Sequence, residues 1–350
     1  MQDRGLNDID KESWWGNLAV KLIPFSIILI VVIFYGIAVY WSQEPDLITL
    51  QVDKAWKLGD PGEKVGGNNK HLIVGYTTLE AMIEVSETLL NKNGGFISND
   101  IMPPGVFQDD MPAWEYGVLV QIRDMARVLR NDYSRSQSQS NEQVDLKEAE
   151  PRFNMNRRSW AFPSAEGEYR KGIQYLKAYQ SKLVNADDPN TQFYARADNL
   201  REWLKGVEKR LGALSQKLSA SVIEERENTD LSGDSAARQS TQTNSLVRVK
   251  TPWMKIDDVF YEARGTAWAL INFLKAVEVD FKDVLEKKNA MASLKQIIRD
   301  LEETQQTVWS PMILNGSGFG TLANHSLVMA SYIARANAAI IDLRDLLSQG

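Results

Sequence analysis

The chain has 350 residues, and 43% of them are hydrophobic, so it can build a sizeable core and is not disordered as a whole. The formal net charge of −6, with no basic stripe along any predicted helix, argues against a nucleic-acid-binding protein. Cysteine is absent, which excludes disulfides, thiolate metal sites and cysteine nucleophiles.

The first predicted element is an uncharged apolar helix from Leu22 to Trp41. Its 20 residues span about 30 Å at 1.5 Å per residue, which is the thickness of the hydrocarbon core of a bilayer. Aromatic residues flank both ends, as is typical of the membrane–water interface: Trp14, Trp15, Tyr40 and Trp41. A cleavable signal peptide is the alternative, but its apolar region is shorter and its N-terminal region is short and basic. The run therefore predicts a membrane-spanning anchor.

Lysine and arginine favour the cytoplasmic side of a membrane. Lys21 directly precedes the apolar run, whereas the other flank has no basic residue before Lys54. We therefore expect residues 1–21 to form a short cytoplasmic tail and the C-terminal domain to lie outside the cytoplasm.

Residues 42–70 are predicted to form a tether, because they are rich in glycine, proline and asparagine and show no sustained apolar period. Residues 71–350 are predicted to form a helical extracytoplasmic domain, since helical periodicity recurs and strand alternation does not. Within this domain, a flexible loop is expected at about 227–247, where large apolar residues are almost absent.

The helices of this domain are predicted over 78–92, from 112 onward, from 164 onward, over 200–222, over 251–288, over 291–309 and from 324 to the C-terminus. Two apolar seams, over 169–183 and 200–222, are joined by a short turn and predict a long antiparallel helical hairpin. A dimeric coiled coil is the alternative for the second seam. The predicted fold is all-α: a single N-terminal transmembrane helix followed by a helical-bundle domain.

No catalytic, cofactor-binding or metal-binding residue is predicted, and no cofactor. His71 and His325 lack a second ligand at metal-binding spacing. The glycine-rich pieces at 59–67 and 315–320 lack the spacing and flanking strand of a nucleotide-binding loop. The carboxylates fall on the polar faces of amphipathic helices, so the sequence does not single out an acid–base pair.

Two segments, 101–114 and 309–319, concentrate apolar and aromatic residues outside the regular helical pattern. Exposed groups of this kind are typical of protein-contact surfaces. The candidate partner-contact residues are Phe107, Met111, Trp114, Trp309 and Phe319. The alternative is that these side chains fold back and cover the core.

Four stretches carry a resemblance to a known family: WWGNLAVKLIPF, PPGVFQDDMPAWEYG, RRSWAFPSAEGEYRKG and SPMILNGSGFGTLANHSLVMASYIARANAA. Over nearly the whole chain, the sequence resembles the Gram-negative inner-membrane proteins of domain-of-unknown-function family 2333. The resemblance implies a bacterial inner-membrane protein. It brings no activity and no functional residues.

These patterns predict a membrane-anchored structural or interaction protein of the bacterial cell envelope, with its N-terminus cytoplasmic and its C-terminal domain periplasmic. The expected partners are the lipid bilayer, through residues 22–41, and another envelope protein. Two alternatives remain: an enzyme that acts on an envelope polymer or lipid through carboxylates, and a ligand-sensing extracytoplasmic domain. The second is disfavoured because the short N-terminal tail leaves no room for an output domain.

Overall fold

The structure is a computed structural model that describes residues 6–50, 56–58, 70–136, 142–185, 191–222, 224–227, 246–310 and 312–349. The helices of the described chain are α1 (Leu6–Trp41), α2 (Tyr76–Asn91), α3 (Asp110–Val128), α4 (Val144–Phe153), α5 (Ala165–Val184), α6 (Ala197–Ser219), α7 (Ile256–Asp280), α8 (Lys282–Lys287), α9 (Met291–Glu302) and α10 (His325–Ser348). A π-helical turn, Leu129–Tyr133, continues α3.

Two antiparallel ladders of three and four residues are the strands of the described chain: β1 (Trp56–Leu58) with β2 (Lys70–Leu72), and β3 (Glu224–Glu227) with β4 (Leu246–Val249). The predicted all-α fold is confirmed. The flexible loop expected at about 227–247 lies almost entirely outside the described residues.

Two described helices are long and apolar enough to cross a membrane, judged by length and composition. In α1, the segment Leu22–Trp41 has none of its most apolar window buried against the protein. The other helix, α10, packs in the core against α6 and α9. The predicted N-terminal apolar helix is therefore present, and it projects from the bundle.

Helix α7 forms the centre of the bundle and is buried on all sides between 267 and 274. Helix α3 packs most extensively against it. The two backbones meet at glycines: a Cβ on Gly117 would lie 2.2 Å from the Glu262 carbonyl oxygen, and one on Gly265 would lie 2.1 Å from the Trp114 carbonyl oxygen. No side chain larger than hydrogen fits at these two points.

The predicted hairpin between the two seams is not confirmed. Helix α5 packs on α4 and α2, whereas α6 packs mainly on α10. The apolar seam of α6 is nevertheless buried within the chain, as expected: Leu200, Leu204, Val207, Leu211, Leu214 and Leu218. The reason is that α4 and α2 already cover the apolar face of α5, whereas α10 offers α6 a long apolar stripe: Met329, Ile333, Ala336, Ile340, Leu343 and Leu347.

Helix directions decide which loops meet. Helices α3 and α7 run parallel, since the residues before Asp110 share a cavity with Lys255 and Asp258, while the rings of Tyr133 and Phe281 lie 5.3 Å apart at the other end. Helices α2 and α5 run antiparallel, with side-chain bonds between Glu80 and Gln180 and between Glu87 and Lys177. Helices α6 and α10 run antiparallel as well, with bonds between Ser215 and Ala330 and between Glu208 and Arg344.

These directions bring four connecting segments to one end of the bundle: 92–109, 154–164, 251–255 and 303–324. Side-chain bonds link them directly to their neighbours. Asn99 Nδ2 donates to the Ser159 carbonyl oxygen at 3.0 Å, and Asn315 Nδ2 donates to the Ser221 carbonyl oxygen at 3.0 Å. We call these four segments the anchor end, because α1, which contains the predicted membrane anchor, also terminates there.

Candidate functional site

The chain that leaves α1 packs along α7 and fixes α1 to the bundle. Three contacts, one helical turn apart on α7, hold it: Glu44 with Arg264, Asp46 with Trp268 and Ile48 with Asn272. Trp268 Nε1 donates to the Asp46 carbonyl oxygen at 3.2 Å, and the Ile48 N–H donates to Asn272 Oδ1 at 3.1 Å. The first part of the predicted 42–70 tether is thus an extended segment bound to the core helix.

Arg264 is the hub of this junction and is 6% exposed. Its guanidinium donates to both carboxylate oxygens of Glu44, with Nε to Oε1 at 2.7 Å. Nη1 also donates to the carbonyl oxygens of Thr304 at 2.9 Å and Gln306 at 2.8 Å. One buried cation therefore ties together the exit from α1, the core helix α7 and the segment that begins the 303–324 loop.

The 92–109 segment contacts α1 itself. Gln108 Nε2 donates to the Ala38 carbonyl oxygen at 2.7 Å, one helical turn before the end of the apolar run. Trp41 packs against Gly94, where a Cβ would lie 2.6 Å from the indole. This loop therefore contacts α1 inside its apolar stretch rather than beyond it.

A buried ion pair supports the base of the same loop. Lys92 Nζ lies 2.8 Å from Glu115 Oε1, and both side chains are almost fully buried. Glu115 also accepts the backbone N–H groups of Ile97 and Ser98, each at 2.8 Å. A buried charge is tolerated when it is paired and hydrogen-bonded in this way. The loop tip is consequently held on a rigid base.

The anchor end carries every exposed Phe, Trp or Tyr side chain among the described side chains outside α1: Phe107, Trp160, Phe162, Trp253, Trp309 and Phe319. Large aliphatic side chains are exposed beside them: Ile101, Met102, Val106, Met254, Met312 and Leu322. Few such residues are exposed elsewhere on the bundle. An apolar surface of this extent marks an interaction site rather than a random scatter of surface residues.

The predicted contact residues divide between this surface and the core. Phe107 is 79%, Trp309 is 92% and Phe319 is fully exposed at the anchor end. Met111 and Trp114 are 1% and 0% exposed, so the expectation that they offer a contact surface is corrected: they cover the core. The reason is that α3 begins at Asp110 and turns both side chains toward α7, where the Trp114 ring lies 5.2 Å from Trp268.

Four carboxylates gather where α3 and α7 begin: Asp109, Asp110, Asp257 and Asp258. Burial, followed by repulsion from the nearby carboxylates, raises the pKa of Asp110 to about 7. A neighbouring cavity of about 280 Å³ is lined by both acids and bases, including Asp100, Asp109, Asp258, Arg157, Arg158 and Lys255. The anchor end thus contains a carboxyl group that changes its charge near neutral pH. Sequence patterns do not reveal this group, because its burial and its proximity to Asp257 and Asp258 on α7 are set by tertiary packing.

Two further cavities, of about 350 and 740 Å³, border Arg264. His325 lines the smaller one, and its Nδ1 accepts the Leu314 N–H at 3.2 Å. The imidazole therefore holds the 303–324 loop against the start of α10. His71 lies among residues whose side chains the structure does not describe. Among the described residues, no group of three or more His, Asp or Glu side chains is arranged to hold a metal ion.

A family model described as an uncharacterized protein conserved in bacteria matches residues 10–350. The resemblance noted in the sequence is thereby confirmed over almost the whole chain. Neither a curated protein nor a solved structure matches it.

Proposed function

The chain belongs to the DUF2333 family of proteins conserved in bacteria, and we propose that it is a single-pass membrane protein of the cell envelope that acts through contacts rather than catalysis. In this proposal, α1 crosses the inner membrane, residues 1–21 lie in the cytoplasm and the bundle lies in the periplasm. The basic Lys21 beside the apolar run supports this orientation.

The observation that carries the proposal is the packed exit from α1. A protein that reaches out from the membrane needs a free linker after its anchor. Here Glu44 is bound to Arg264 and the following residues run along α7. With 25 residues, α7 is about 38 Å long at 1.5 Å per residue. The bundle is then a platform that presents its surfaces within this distance of the bilayer.

A second envelope protein is the partner we propose for the side of this platform. A charged cleft of about 460 Å³ lies between α3 and α6 and is lined by Arg127, Lys205, Lys209, Glu202 and Asp132, among others. It lies towards the end of the bundle far from α1. Mixed charges of this kind favour specific and reversible docking of a protein with complementary charges.

Photo-crosslinkers placed in living cells at Lys205 and Lys209 test this proposal. Reproducible adducts with one envelope protein are expected. The matched control is Lys171, which is exposed on α5, a helix that packs on α4 and α2 and does not line the cleft; it should give no such adduct. Equal adduct patterns at all three positions, or none at any of them, would count against a docking role.

A carboxylate enzyme is the second candidate, because Asp110 has a pKa raised to about 7, a value suited to general acid–base catalysis. Its test is Asp110→Asn, with Asp283→Asn on α8 as the control. A cellular defect in the first variant alone, with a native circular dichroism spectrum and unchanged crosslinking, would favour this candidate over the platform.

A further inference from the structure

We propose that the anchor end of the bundle is seated in the interface of the same bilayer that α1 crosses, so that the loops bearing exposed aromatic residues contact lipid. This inference rests on the proposed membrane-spanning role of α1. It adds a second and separate membrane contact, made by the folded domain.

The depth of the loops follows from the contact between Gln108 and Ala38. Ala38 lies one turn inside Trp41, or about 4.5 Å along the helix axis. The polar layer on each side of a bilayer is about 5–7 Å thick. With Trp41 in the polar layer, as its role as an interfacial aromatic residue predicts, a loop that bonds to α1 at Ala38 lies at the boundary between the headgroups and the acyl chains. Phe107, which directly precedes Gln108 in the chain, is exposed at that level.

The composition of the loop tips fits the same environment. Residues 101–108 and 159–165 contain no Asp, Glu, Lys or Arg, and neither does the whole stretch from Thr304 to Ala334. Tips that face water have no reason to exclude charge so consistently. Aromatic and aliphatic side chains without charged neighbours are the usual residues of an interfacial contact.

Basic side chains lie immediately behind these tips. Arg157, Arg158 and Lys255 line one cavity at the anchor end together with three aspartates, and the exposed Trp160 and Trp253 lie two residues from Arg158 and Lys255 in the chain. Cations at this position can pair with the phosphates of anionic lipids while the aromatic rings lie deeper. Apolar tips with charged side chains of both signs behind them match the order of acyl chains and zwitterionic or anionic headgroups.

A protein partner fits this surface less well than lipid does. Because α1 leaves the bundle among these same loops, the bilayer already occupies the space that a soluble partner would need. Lipid also covers four separate tips without requiring shape complementarity. Evidence for protein docking at the anchor end would therefore contradict the proposal.

The chain contains no cysteine, so single labels can be placed without background. The full-length protein carries the fluorophore NBD at Phe107→Cys, Phe162→Cys or Phe319→Cys and is reconstituted in vesicles of phosphatidylethanolamine and phosphatidylglycerol. Val144→Cys, exposed at the opposite end, is the aqueous control. Val32→Cys in α1 is the membrane control.

We expect the three anchor-end labels to be quenched several-fold more strongly by acyl-chain nitroxide lipids, and several-fold less by aqueous iodide, than the label at position 144. If they respond like position 144 while position 32 is quenched by the nitroxide lipids, the proposed contact of the anchor end with the bilayer interface is wrong. The membrane-spanning role of α1 is still supported in that case. If position 32 is also open to iodide, the membrane-spanning proposal itself fails. Labels shielded from iodide but not quenched by nitroxide lipids would overturn the lipid contact in favour of a protein contact.

Discussion

Replacing Arg264 with methionine is expected to lower the free energy of unfolding by about 3–5 kcal/mol, because one partner of a buried ion pair is removed. The side chains of Arg264 and Glu44 are 7% and 17% exposed. The change leaves the Glu44 carboxylate and the carbonyl groups of Thr304 and Gln306 without their donor. Methionine retains much of the apolar packing volume, so the loss reports mainly on the charge and its hydrogen bonds. Urea denaturation of the full-length protein in detergent, followed by circular dichroism, measures the effect.

The matched control is Arg210→Met, which removes a similar two-pronged pair with Asp124. The Arg210 side chain is 50% exposed and Arg127 remains 3.7 Å from the same Asp124 carboxylate, so we expect a smaller loss, of about 1 kcal/mol. A double-mutant cycle of Arg264→Met with Glu44→Gln should give a coupling of about 1–3 kcal/mol. If Arg264→Met costs no more than the control, or if the coupling is close to zero, the exit from α1 is not held by this pair and the argument for a fixed platform fails.

Three other predictions concern pH, packing and topology. Since the pKa of Asp110 is raised to about 7, the folded state keeps a proton that the unfolded chain releases above about pH 4. The free energy of unfolding should therefore fall as the pH rises from about 4 to about 7, and Asp110→Asn should flatten this slope in urea titrations; an unchanged slope would assign the titration to another group. Gly265→Ala places a methyl group 2.1 Å from the Trp114 carbonyl oxygen and should lower the free energy of unfolding by about 1–3 kcal/mol. Gly206→Ala, in open space on α6, should raise it by about 0.5–1 kcal/mol. Thermal melts that rank the two variants the other way would contradict the α3–α7 contact. The protein should resist carbonate extraction, and a C-terminal reporter that is active only outside the cytoplasm should be active; an active cytoplasmic reporter at that position would reverse the orientation.

The contact of the anchor end with the bilayer interface and the packed segment after α1 would together fix the orientation of the bundle. A single helix leaves a domain free to rotate and tilt about the membrane normal, whereas a second contact with the bilayer removes this freedom. The charged cleft between α3 and α6 would then face a constant direction at a constant height. Restricting the orientation in this way lowers the entropy cost of binding a partner that is also held in the membrane.

Local patterns in the sequence were sufficient for the helical fold and for much of the buried surface. The uncharged run Leu22–Trp41 predicted an apolar helix long enough to span a bilayer, and the structure contains this helix. The seam of α6 was assigned correctly to the core because apolar residues at helical spacing must face one side. Asn324 was expected at a helix start, and its side chain accepts the Leu327 N–H at 2.9 Å. Each of these features depends on neighbours within a few turns of the same helix.

The partners of each helix, and the site itself, were decided by the tertiary structure alone. Sequence proximity suggested that the seam of α6 packs on α5, yet it packs on α10. In the sequence, Phe107 and Trp114 belong to one apolar segment, but only the start of α3 at Asp110 turns one outward and the other into the core. Glu44 and Arg264 are 220 positions apart, and their meeting depends on how every helix between them packs. Local periodicity fixes which face of a helix is apolar; it carries no information on which distant face will cover it.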